Sequence, residues 1–130
     1  MPMHPGVYAD LLSAKMAEHG STAWLINTGW SGGSYGVGKR MKLRLTRAML
    51  NAALEGELEH CEYIVDERFG FEIPTSCPGV PEEILIPRQT WADKDDYDMT
   101  ADKLADMFNR NFKRYSAGVS AEVNAAAPTN

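Results

Sequence analysis

Apolar residues recur at helical spacing at both ends of this chain and crowd together in a short run between them. In residues 5–19, Val7, Leu11 and Ala14 fall on one stripe, with Tyr8, Leu12 and Met16 flanking it. That spacing predicts an amphipathic helix, and Gly20 is a natural stop because it adopts the left-handed cap conformation without steric cost. In residues 94–115, Ala101, Leu104, Ala105, Phe108 and Phe112 form a second stripe, with Asp93 placed to cap it. Residues 23–27, "AWLIN", predict a buried strand between turn residues. The alternation of basic and apolar residues from Lys39 to Leu45 predicts a short extended segment. Thr46 then reads as the cap of a helix "RAMLNAALE", which stops at Gly56. Residues 62–65 and 69–73 read as paired strands. Residues 74–90 are proline-punctuated and irregular, and residues 116–130 are small and polar, the composition of a frayed tail.

Mixed short strands and helices give a fold class of α/β or mixed α+β. Strand 23–27 adds a constraint, since a strand apolar on both faces needs neighbours on both sides. Roughly four short strands are too few to supply them, so the run is expected to belong to a larger sheet.

Composition narrows the partners. The chain has 130 residues with 44% apolar, 24% charged and a net charge of −5. That is an ordinary balance for one globular domain. The negative charge excludes a general nucleic-acid binder, which presents a basic face. No apolar run approaches the ~20 residues that cross a bilayer. The start, "MPMHPGVYAD", lacks the basic and apolar regions of a signal peptide. Two cysteines without a targeting signal, Cys61 and Cys77, fit reduced thiols in the cytoplasm.

The candidate chemistry lies in "GSYGVGKR", Gly33 to Arg40. It fills the first three fixed positions of the phosphate-loop pattern G-x-x-x-x-G-K-[ST], but has Arg40 at the last. A guanidinium carries only donors and cannot take the metal-ligating role of the missing hydroxyl. No helix signal follows Lys39 directly either. Five glycines in the eleven residues 28–38 make a loop that is expected to be mobile without a ligand. Arg40 suits a ligand loop of another kind, because its flat cation stacks on a nucleobase. His4, His19 and His60 are scattered without metal-ligand spacing, and Cys61 and Cys77 form no CxxC pair. The acids of "DKDDYD", Asp93 to Asp98, suit a helix N-terminus. Trp24, Trp30 and Trp91 read as core or interface residues.

Longer strings carry a resemblance. The run "WLINTGWSGGSYGVGKRMKLRLTRAMLNAALEGEL", then "FGFEIPTSCPGV" and "ILIPRQTWAD", resembles the C-terminal part of ATP-dependent phosphoenolpyruvate carboxykinases over roughly residues 3–115. The resemblance implies part of a mononucleotide-binding C-terminal domain over residues 1–115 and a flexible tail over 116–130. It implies a gluconeogenic reaction in which oxaloacetate and ATP give phosphoenolpyruvate, ADP and CO₂. Mg²⁺ and Mn²⁺ would serve the complete enzyme without being ligated by this chain. Within this segment the family places the adenine end of the ATP site, which assigns nucleotide binding to Arg40, Met41 and Thr46. The phosphate loop, metal ligands and substrate arginines of the family lie upstream of the resembling segment, so no catalytic residue is expected here. Family members are several times longer, and the chain alone is therefore expected to be an inactive segment. Two alternatives remain at this point: a standalone binding module without a nucleotide site, and a chain that self-associates.

Overall fold

The computed structural model describes residues 3–129. Helix α1 spans Pro5–His19. His4 Nδ1 accepts from the Gly6 N–H at 3.2 Å, and Gly20 closes the helix at φ 60°. The helix forms as its local signals require, yet its apolar stripe finds no core. Leu11 and Leu12 remain 58% and 62% exposed.

The chain then runs extended through residues 21–28 without joining a sheet. This corrects the expectation of a buried strand at 23–27. Trp24 and Ile26 turn inward and Leu25 outward, the alternation of a strand, but no described segment ladders with it. A strand exists only where a neighbour exchanges backbone hydrogen bonds.

Strands β1 (Trp30–Ser31) and β2 (Lys39–Arg40) form an antiparallel hairpin. Helix α2 spans Leu43–Leu54. It begins earlier than expected, so Thr46 sits inside its first turn and does not cap it. Lys42 is the capping position and provides no side-chain bond. The 3.6-residue stripe of Leu45, Ala48, Met49 and Ala52 outweighs the short alternation before it. Leu45 and Ala52 are buried, Ala48 and Met49 half-buried. Gly56, at φ 75°, ends the helix and leads into a 3₁₀ turn, Glu57–His60.

Strands β3 (Tyr63–Val65) and β4 (Glu72–Pro74) pair antiparallel with Ile64 opposite Ile73. The second strand starts later than the apolar run suggested. Asp66 Oδ1 accepts from the Arg68 and Phe69 N–H groups at 3.1 and 2.7 Å, folding residues 66–71 into the turn. Two short helices follow, α3 (Glu82–Leu85) and α4 (Pro87–Thr90), where irregular chain was expected. Helix α5 spans Lys94–Phe112, and Asp93 caps it by accepting from the Asp95 and Asp96 N–H groups. Ala101 and Ala105 of its stripe are buried, whereas Leu104 and Phe108 stay 43% and 53% exposed.

Helix α6 covers Ala121–Ala125. Beyond it, Asn109 Nδ2 donates to the Pro128 carbonyl, and Thr129 donates to the Arg68 and Glu67 carbonyls. The proposed divisions at 1–115 and 116–130 include Met1, Pro2 and Asn130, which lie outside the described residues.

The architecture is mixed α/β: helices with two separate two-stranded antiparallel ladders. Its core is small. Ala52, Leu58, Cys77 and Val80 form the central cluster, with Trp24, Met49 and Leu85 packed against it. Among the described residues no large side chain is fully buried, and no helix is long and apolar enough to cross a membrane.

Candidate functional site

The site begins at the Asn27 side chain. Its Oδ1 accepts from the Gly29 N–H at 2.8 Å, and its Nδ2 donates to the Trp30 carbonyl at 3.0 Å. Both halves of one amide therefore fasten the turn that opens β1. Gly29 in turn accepts from the Met41 N–H at 2.8 Å. In the ladder, Trp30 stands opposite Arg40 and Ser31 opposite Lys39.

The loop between the strands closes on itself, with Ser34 accepting from the Val37 and Gly38 N–H groups at 3.0 and 2.9 Å. Two glycines make this geometry available. A Cβ on Gly32, at φ 79°, would lie 2.9 Å from the Thr90 carbonyl oxygen, and a Cβ on Gly38 would strike the Gly33 carbonyl. The loop thus folds closely on its own backbone and against the end of α4. Trp30 and Tyr35 meet edge-on at 5.5 Å.

Of the three residues assigned to nucleotide binding, Arg40 is exposed and forms no ion pair or ring contact among the described residues. Met41 follows it directly and is half-buried. Thr46 is half-buried in the first turn of α2, where its N–H donates to the Lys42 carbonyl at 3.3 Å.

Met41 opens onto an apolar cleft of about 990 Å³ whose walls include Trp24, Ile26, Met49, Tyr63, Leu85 and Trp91. Arg40 and Thr46 do not line it. Glu59, Asp66 and Glu72 do, and among the described residues no Lys or Arg joins them. A mainly apolar wall with three carboxylates disfavours phosphates and accommodates flat apolar groups.

The titratable groups nearby are structural in character. Partial burial, with a contribution from Cys61, pushes the Tyr63 phenol up to about 12, and its O–H donates to the Leu58 carbonyl at 2.6 Å. Burial and the neighbouring Glu57 raise the Cys77 thiol. Outside the cleft lining, Arg88 grips Asp98 through Nε and Nη2 at 3.0 and 2.8 Å and holds its carboxyl below the usual range. Arg68 reaches the same carboxylate and also Asp102. Sequence reasoning missed this cluster, because no local pattern links residues 68, 88, 98 and 102. It also passed over Asn27, although Asn two residues before Gly is a turn signature. Among the described residues no group of three or more His, Cys, Asp or Glu could hold a metal ion.

Residues 1–83 match the family model described as phosphoenolpyruvate carboxykinase. Over 128 residues, 98% of this chain, the sequence is 55% identical to phosphoenolpyruvate carboxykinase (ATP) of Thermus thermophilus and covers 24% of that protein. The same-named protein of Geotalea uraniireducens is 55% identical over 95% of the chain, which covers 23% of it. That of Bradyrhizobium diazoefficiens is 52% identical over 98% of the chain, which covers 24% of it. The chain thus spans about a quarter of the length of the curated relatives it matches.

Proposed function

This chain belongs to the phosphoenolpyruvate carboxykinase family, and from that premise we propose that it supplies the adenine-binding end of the ATP site in an ATP-dependent carboxykinase, as a C-terminal segment of it. The reaction served is that of oxaloacetate and ATP giving phosphoenolpyruvate, ADP and CO₂. The observation that carries the reading is the end of β2. The Arg40 side chain stands exposed with no ion pair or ring contact among the described residues, beside a Met41 that opens onto a mainly apolar cleft in which no described Lys or Arg takes part.

Each residue has a distinct task. The Arg40 guanidinium lies flat on one face of the base. The Met41 N–H is already committed to Gly29, which leaves the Met41 carbonyl to accept from the exocyclic amino group of adenine. The Thr46 hydroxyl, on the first turn of α2 and outside the cleft lining, is the third contact that the family resemblance assigns to the base. Phosphates, oxaloacetate and the divalent metals (Mg²⁺ with the nucleotide, and Mn²⁺) are held by parts of the enzyme that this chain does not match. Metal ions neutralise the phosphates when bound there. The chain alone therefore binds the base end without turning substrate over, since phosphoryl transfer needs positioned phosphates and metal ions together.

The test uses a chimera in which this chain replaces the matching part of the Thermus thermophilus relative. A cation over an aromatic face contributes about 0.5–2 kcal/mol, so Arg40→Ala should weaken ATP roughly two- to thirtyfold. Inorganic tripolyphosphate should bind as before, and Lys at this position should restore only part of the loss, because ammonium is not planar. Equal weakening of ATP and tripolyphosphate would mean that Arg40 reads phosphate charge and that the base-stacking role is wrong.

A further inference from the structure

We propose that Asn27 is the positioning residue of the base-binding strand, fixing the backbone that presents Arg40 and Met41. The inference rests on the reading of those two residues as contacts to the base, and it adds a residue that touches no ligand.

The β1–β2 ladder is two residue pairs long. A two-stranded ribbon of that length is marginal by itself in water. Both strands lie near the surface, with Trp30, Lys39 and Arg40 exposed, so burial does little to hold them. What remains is a relay of hydrogen bonds. The Asn27 amide fixes the Gly29 N–H and the Trp30 carbonyl. The Gly29 carbonyl then fixes the Met41 N–H, and Trp30 is the cross-strand partner of Arg40. Asn27 is itself exposed, so these bonds do not satisfy a buried amide. Their effect falls on the turn, and through the turn on the strand opposite. A stacking cation is useful only while its backbone keeps one orientation, because a freely moving strand loses entropy again each time a ligand orders it.

The side chain's two roles can be separated. Alanine removes both bonds. Aspartate keeps an acceptor for the Gly29 N–H but sets a carboxylate oxygen against the Trp30 carbonyl, which should leave the turn half-held. In the chimera described above, Asn27→Ala should raise the KM for ATP roughly five- to thirtyfold, the size of one to two net hydrogen bonds. The KM for oxaloacetate should not move, a split that general loss of stability would not produce. Asn27→Asp should fall between the wild type and Asn27→Ala, and it serves as the working variant if alanine prevents folding. Deuterium uptake in the peptide Gly38–Lys42 should rise in the same order. Combining Asn27→Ala with Arg40→Ala should weaken ATP by less than the product of the single effects, because one residue acts through the other.

Unchanged uptake in that peptide, or single effects that multiply in full, would overturn the positioning role. An Arg40→Ala chimera that binds ATP as well as the wild type would instead overturn the base-binding reading beneath it. The two failures are thus read from different variants.

Discussion

The described residues contain two antiparallel hairpins, and these are held in different ways. β3–β4 is buttressed by everything around it. Its turn is folded by Asp66, Arg68 in that turn reaches Asp98 and Asp102 of α5, Phe69 meets Phe108 edge-on at 6.4 Å, and Thr129 bonds the Glu67 and Arg68 carbonyls. β1–β2 is held chiefly from within, by Asn27, by the Gly29–Met41 bond and by glycines that let the loop close on itself. Their side chains differ accordingly. The turn of β3–β4 spends Asp66, Arg68 and Phe69 on protein partners, whereas the Arg40 guanidinium forms no ion pair or ring contact among the described residues. A hairpin supported through its backbone can leave side chains for a ligand. A hairpin supported through its side chains serves as scaffold.

The strongest way to break that contrast is Gly38→Ala. Its Cβ would strike the Gly33 carbonyl, so the loop must open at a cost of about 1–3 kcal/mol. ATP affinity in the chimera should fall by tenfold or more, while deuterium uptake around β3–β4 stays as it was. Faster exchange in both hairpins would show them to be one cooperative unit.

Acid should act on the other hairpin. Arg88 and Arg68 hold the Asp98 carboxyl below its ordinary range, so the folded state keeps this proton more weakly than the unfolded chain. Its stabilising contribution is present above the usual aspartate value of about 3.9 and is lost as pH falls through the lower folded value. Asn at position 98 should flatten that limb of a stability–pH curve. An identical acid limb in Asp98→Asn would place the effect elsewhere.

The smallest effect expected is truncation after Tyr115. It removes the Thr129 and Pro128 contacts to Arg68, Glu67 and Asn109, three hydrogen bonds of about 0.5–1.5 kcal/mol net each. The melting temperature should fall by a few degrees, with ATP affinity unchanged. A collapse of the fold would make residues 116–129 part of the scaffold on the same footing as α5.

Elements with local signals were legible in the sequence. Gly20 ends α1 and Asp93 caps α5 because caps depend on a few adjacent residues. The start of α2 was misplaced because Lys42–Leu45 alternates like a strand, and only the packing of Leu45 against the rest decides for a helix. The extended run 23–27 was misread because a strand is a property of two segments. The Arg68–Asp98–Arg88 cluster joins residues ten to thirty positions apart, beyond any local pattern. Arg40 was suggested by chemistry, while Met41 and Thr46 came from family resemblance alone. Nothing in their local pattern separates them from any Met or Thr near a helix start.

The unladdered run from Thr22 to Thr28 also bears on the life of the chain in a crowded cell. It contains no charge and no proline, the two devices by which sheet edges discourage strangers. Its aromatic and branched side chains, with low charge and no proline, are what stacked-strand aggregates favour. The same row of unpaired amides is thus open to any strand that meets it.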